Sequence, residues 1–195
     1  MQTPRPKSNQ PIPDHAAKVF TGKIFDVYQW EQEMYDGTKQ TFEKLKRPDT
    51  VVVFPVLEDG TILLTEQEQP GRIPFIDAPS GRAYEGEDPL ETAKRELLEE
   101  TGYEAKEYVL WRAKNPVTKI DWVCYTFIAK GCVKVADQKL DAGEKVVLKP
   151  VTFDELLEIS QDEKFRAQES VIDFLQAKGD KKKYEELKGL FGVNF

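Results

Sequence analysis

The sequence predicts an α/β protein in which a mixed sheet lies between helices and an antiparallel strand pair precedes it. Three observations carry that reading. Val51-Val52-Val53-Phe54-Pro55-Val56 is a continuous apolar run of the kind found in a strand buried on both faces. Residues 89–101 carry the periodicity and the end signals of a helix. Strands then dominate the first part of the chain and helices close it, an order that favours a mixed sheet over regular βαβ alternation.

Residues 1–17 hold Pro4, Pro6, Pro11 and Pro13 with almost no apolar periodicity, and read as an extended tail. Residues 18–47 read as the strand pair, joined at Tyr35-Asp36-Gly37-Thr38, because Asp-Gly suits a tight hairpin. From residue 48 to 195 the chain reads as one main domain with a helical C-terminus. Glu58-Asp59-Gly60 turns the apolar strand into a second one, Thr61 to Thr65, and a Gln-, Pro- and Gly-rich loop leads to Ile73–Ala78. The helix that follows has Asp88 as N-cap, Glu91 to complete a capping box and Pro89 at the first helical position. Gly102 stands where a C-terminal glycine belongs, and Leu90, Ala93, Leu97 and Thr101 share one face. Further strands are expected near Tyr108–Arg112, Trp122–Ala129 and Lys145–Lys149. Thr152 with Glu155 opens a helix, and 168–178 and 181–190 complete the helical end.

Composition narrows the function classes. A net charge of -7 argues against general binding to nucleic acid or to an anionic membrane, both of which need clustered Lys and Arg. A small anionic substrate stays open, since a bound divalent ion can reverse the local sign. Cys124 and Cys132 are too few for a zinc site or a disulfide framework and read as reduced thiols in or beside a strand. His15 is the one histidine and lies in the tail, so acid–base or metal chemistry must rest on carboxylates. No apolar run approaches the ~20 residues of a membrane span. The first residues lack the hydrophobic core of a signal peptide, and the expected location is cytoplasmic.

Glu96, Glu99 and Glu100 are spaced i, i+3, i+4 on the helix and so form one patch of carboxylates. Like charges at this spacing cost roughly 0.2–0.5 kcal/mol per pair, and a divalent cation would remove that repulsion. Mg²⁺ favours a few carboxylate oxygens, with water and substrate phosphate filling the remaining positions. A Glu-rich helix face is usually only solvated, so the stretch around it decides.

That stretch is GRAYEGEDPLETAKRELLEETGY, residues 81–103, and it resembles the Nudix box. Gly81, Glu87, Arg95, Glu96, Leu97, Glu99, Glu100 and Gly102 match at the family's spacing; Tyr103 departs from its usual aliphatic residue. At this chain's composition the charged and glycine identities would coincide about once in 10⁸ windows, which removes chance as a competitor. The resemblance implies a Nudix-type α/β/α sandwich carrying a loop–helix–loop. It implies that Glu96 and Glu100 ligate Mg²⁺ (or Mn²⁺), that Glu99 supports or bridges, and that the carbonyl of Ser80 adds a ligand. It implies an ion pair between Glu87 and Arg95. The reaction implied is hydrolysis of a nucleoside diphosphate linked to another group.

Outside the box the order of elements resembles the ADP-ribose pyrophosphatase branch. Thr65-Glu66-Gln67-Glu68-Gln69-Pro70 and Asp77-Ala78-Pro79-Ser80-Gly81 stand at its motifs, with Gln69 where that branch commonly has Arg and Asp77 where it has Glu. Arg72 or Arg82 could replace the missing phosphate-binding arginine. Glu144, in the loop before Lys145, is the candidate general base, with Asp141 as alternate. The branch forms homodimers in which N-terminal strands help build the substrate pocket, so Phe25, Tyr28 and Trp30 are candidates to stack on the base. Other Nudix activities, on nucleotide sugars, dinucleoside polyphosphates or modified nucleoside triphosphates, and a non-catalytic nucleotide sensor are the alternatives.

Overall fold

The computed structural model describes residues 3–140 and 142–193. Its N-terminal sheet is built from β1 (Ala17–Thr21), β2 (Asp26–Glu33) and β3 (Lys39–Lys46), joined at the edge by the short β10 (Ile120–Asp121), which runs parallel to β3. The expected strand pair is β2–β3, in register from Asp26–Lys46 to Glu33–Lys39. Its hairpin closes where Asp-Gly predicts, with Gly37 at φ 82°. The sequence predicts two strands here and the structure has three: β1 pairs back on β2 through a bulge between Lys18 and Phe20, and all its residues are exposed, so no buried face marks it.

Residues 3–16 form no helix or strand, bend at 9–10 and turn at 14–15, and do not stand free. Thr3 donates from its N–H and hydroxyl to Asp88 (2.8 and 2.7 Å), and Arg5 pairs with Asp49 and Asp121. Lys44, buried on β3, donates to Ser8 Oγ and the Gln10 carbonyl. The tail is therefore a strap across the N-terminal sheet, reaching the start of the main helix.

The main sheet runs β12 (Lys145–Val151), β5 (Ile62–Glu68), β4 (Thr50–Leu57), β11 (Cys124–Lys134) and β8 (Tyr103–Glu104). The strands β6 (Phe75–Asp77), β7 (Ser80–Arg82) and β9 (Glu107–Lys114) pair with β5, β4 and β11. The central pair, β4 with β11, is parallel and the others are antiparallel, so the sheet is mixed. Alternation along β4 sorts the core into two layers. Val51 and Val53 pack with Ala93 and Leu97 of α1 (Pro89–Thr101) on one face. Val52, Phe54 and Val56 pack on the other with α2 (Phe153–Ile159), α3 (Gln168–Gly179) and α4 (Lys181–Phe191). There Phe54, Trp111, Phe174 and Phe191 meet with ring centroids 5.6–6.4 Å apart, the edge-to-face range of stabilising aromatic contacts. The result is an α/β/α sandwich. Cys124 and Cys132 are free and buried. No helix among the described residues is long and apolar enough to cross a membrane.

Candidate active site

Helix α1 carries the box glutamates, and its ends show how the sequence fixes it. Asp88 accepts from the Leu90 N–H at 2.9 Å, and Gly102 ends the helix at φ 77°, a left-handed turn that glycine adopts without a side-chain penalty. The capping box expected of Glu91 gives way to a different arrangement. Asp88 receives Thr3, and Glu91 turns to Lys94 at 2.7 Å.

Glu96 and Glu100 do not project from an open face. They lie 9% and 8% exposed, because Ala93, Glu96, Leu97 and Glu100 form one i, i+3, i+4, i+7 row that the fold covers. Glu96 rests over Gly81 on β7: a Cβ at that position would lie 1.9 Å from Glu96 Oε1. Glu100 receives the Gln67 amide at 3.4 Å. Burial, followed by the nearby charges of Glu96, Asp77 and Glu144, pushes the Glu100 carboxyl up to about 9. Burial likewise raises Glu96 above the ordinary carboxylate range, and raises Asp77 to about 7.

Arg95 gathers the rest of the motif. It donates from Nε and Nη2 to Glu87 (3.1 and 3.2 Å), from Nη1 to Glu96 (2.7 Å) and Glu99 (3.1 Å), and from Nη2 to the Arg82 carbonyl (3.0 Å). Glu87 in turn accepts the Tyr84 N–H at 2.9 Å, which closes the loop between β7 and α1. Burial works against the Arg95 charge, but the bonds to Glu87 and Glu96 outweigh it and hold its affinity for the proton above the ordinary value.

A cavity of about 250 Å³ opens over this network. Ser80, Arg82, Arg95, Glu96, Glu99, Glu100 and Glu144 line it, so most of the residues singled out from sequence meet at one place. Glu144, on the far wall, accepts from Gln69 Nε2 at 3.2 Å, and Gln69 Oε1 accepts from Arg72 at 2.7 Å. Arg72 thus reaches the site through Gln69; its guanidinium otherwise lies over the Phe75 ring, 4.5 Å from the centroid. Asp141, the alternate base, lies outside the described residues.

The aromatic candidates lie elsewhere in the single chain. Trp30 is 6% exposed and packs on Phe42, 6.0 Å between centroids, so it is committed to its own sheet. Tyr28 lines a separate cavity of about 610 Å³ beneath the tail. Phe25 lies beside the guanidinium of Arg47. Residues that sequence reasoning gave no role also border the site: Tyr84, whose ring lies 4.3 Å from the Arg95 guanidinium carbon, and Lys139 and Leu140. None belongs to a spacing pattern that marks it in advance.

The donor set fits a hard divalent ion, since it is made of carboxylate oxygens and a backbone carbonyl. Gly81 leaves the space that the Glu96 carboxylate fills. As the side chains stand, with Glu96 and Glu99 drawn to Arg95, no three acidic, His or Cys groups among the described residues converge on one point. A bound ion would compete with Arg95 for those two carboxylates.

Residues 46–173 match the NUDIX domain family, and the chain belongs to that family: it is a Nudix pyrophosphohydrolase. Among its relatives is an ADP-ribose pyrophosphatase of Bacillus subtilis (strain 168), 31% identical over 166 residues, which span 83% of this chain and 90% of that protein. A methanol dehydrogenase activator of Bacillus methanolicus is 30% identical over 159 residues, 80% of this chain and 85% of the relative. A crystal structure of an ADP compounds hydrolase superposes with a TM-score of 0.72 at 17% identity, covering 97% of this chain and 100% of the other, a likeness of fold.

Proposed function

We propose that this enzyme hydrolyses ADP-ribose to AMP and ribose 5-phosphate with Mg²⁺, or Mn²⁺ in its place. The observation that carries the reading is the single cavity where Glu96, Glu99 and Glu100 face Glu144, with Arg82 and Lys139 on its walls. The resemblance to a B. subtilis ADP-ribose pyrophosphatase over most of both chains supports the substrate.

When bound, the ion supplies positive charge to the diphosphate oxygens and makes water a better nucleophile. The protein's own groups supply the rest. Glu96, Glu100 and the Ser80 carbonyl would hold the ion, with Glu99 beside them. Arg95, fixed by Glu87, keeps Glu96 and Glu99 on the cavity wall. Arg82 and Lys139 offer cations to the diphosphate. Glu144 takes the proton of the attacking water as the P–O bond to the departing phosphate breaks, acting as general base.

The working unit we propose is a homodimer. All the residues of β1 are exposed, Val19 at 50% and Phe20 at 59% among them, and a partner strand would cover them. In that arrangement Phe25 or Tyr28 of one subunit is available to stack on the base held by the other, whereas Trp30 is already enclosed. A second reading, another nucleoside diphosphate derivative such as a nucleotide sugar, draws on Arg72: it is engaged with Gln69 instead of lining the cavity. A substrate panel with products identified (ADP-ribose, other nucleotide sugars, dinucleoside polyphosphates) separates the two. AMP released fastest from ADP-ribose supports the first, and preference for another compound the second.

A further inference from the structure

The last carbonyls of any helix lack partners within it. In α1 two of them belong to Glu99 and Glu100. Gly102 N–H satisfies the Leu98 carbonyl, and the chain beyond β11 satisfies the next two. Lys139 N–H donates to the Glu99 carbonyl at 2.8 Å, and the side-chain amide of Gln138 donates to the Glu100 carbonyl at 2.6 Å. The same segment is anchored just before this by Val135 and Ala136, whose N–H groups both point to the Gly102 carbonyl.

Gln138 has a second attachment. A primary amide carries two N–H donors, and Gln138 Nε2 also reaches the Val146 carbonyl at 3.2 Å. Val146 is buried on β12, paired opposite Gln67, and stands two residues after Glu144. One amide group therefore ties the backbone of Glu100 to the backbone two residues after Glu144. Two further restraints act on Glu144: its carboxylate accepts from Gln69, and the pairing of β12 with β5 begins at the next residue, Lys145 opposite Glu68.

We propose that Gln138 is a positioning residue for the reaction: by bridging the Glu100 and Val146 carbonyls it sets the separation between the ion-holding helix and the Glu144 carboxylate. This rests on Glu144 acting as the base. Gln138 is not among the residues that line the cavity; it acts through the main chain, where a displacement of about 1 Å can cost on the order of 10²-fold in rate. Glutamate at this position keeps the shape of the side chain but has no N–H to offer, so both carbonyls lose their donor. Alanine removes the bridge without adding charge.

The test is a double-mutant cycle in the full-length protein, with ADP-ribose as probe and saturating Mg²⁺. Gln138→Glu and Gln138→Ala should each lower kcat about 10- to 100-fold while KM stays within about threefold, the split expected when alignment and not binding is lost. In a Glu144→Gln background the same changes should lower kcat by less than about threefold, because the group they align is gone. An equal loss in both backgrounds, or a rise in KM alone, overturns the proposal. If Glu144→Gln itself leaves kcat unchanged, the base is misassigned and the role given to Gln138 falls with it.

Discussion

Glu96 occupies the space that a side chain at Gly81 would need. The carboxylate lies so close over the β7 backbone that a Cβ at Gly81 would stand 1.9 Å from its Oε1 and 2.1 Å from its Cδ. The obstacle is the far end of a flexible side chain, so Gly81→Ala should fold, with Glu96 swung aside. If Glu96 shares the ion with Glu100, as proposed, its displacement should lower turnover by about 10²-fold or more. Activity near that of the unmodified protein, with the substitution verified, would count against Glu96 as a ligand.

Arg95 serves four acceptors in fixed directions, which lysine cannot do with one ammonium. Arg95→Lys should therefore lower stability by about 1–3 kcal/mol through loss of charge-assisted hydrogen bonds, read by urea denaturation. It should also weaken activity, since Glu87 would no longer hold the loop to the helix. No change in either measurement would mean that the network is incidental.

How much of this was legible in advance depends on whether a pattern names the residue or only its neighbours do. The apolar run of β4 and the helix with Pro89 and Gly102 at its ends carry their own signals, and the expected and observed helix spans coincide. Glu96 and Glu100 were legible as a patch, but not as buried. The row 93, 96, 97, 100 is an ordinary core row in which two positions are acidic, a conflict that composition presents as a solvated face. The strand β1 carries no signal of its own, because all its residues are exposed and no buried face imposes an alternation. Gln138 and Lys139 were invisible, since their role comes from where the chain passes and not from a motif.

Proton and ion should compete at Glu100. Its folded-state value of about 9 lies above the ordinary glutamate value of 4.5, so the metal-free folded chain binds more protons than the unfolded one. Stability of the metal-free protein should then be fully present below the ordinary value and fall as pH rises through about 9. Mg²⁺ should offset that loss, so its stabilising effect should be larger at pH 9 than at pH 6. Thermal unfolding at both pH values, with Mg²⁺ and with EDTA, measures this directly. Activity should likewise rise on the alkaline side of neutral; an optimum near pH 5 would contradict the assignment.

The exposed β1 and the placement of Tyr28 in a cavity other than the carboxylate one together predict assembly. At micromolar concentration the solution mass should be that of a dimer. Tyr28→Ala should raise KM for the nucleotide more than it lowers kcat. A monomeric mass with full activity would show that one chain builds the whole pocket.

The most direct measurement compares the unmodified enzyme with Glu100→Gln on ADP-ribose, with Mg²⁺ present and the phosphorus-containing products resolved. The unmodified enzyme should release AMP and ribose 5-phosphate in equal amounts. Glu100→Gln keeps the shape of the side chain and removes its charge, so it should lower turnover by at least about 10²-fold with the melting temperature preserved. Turnover of the variant within a few-fold of the unmodified enzyme would contradict a metal-dependent diphosphatase centred on this helix.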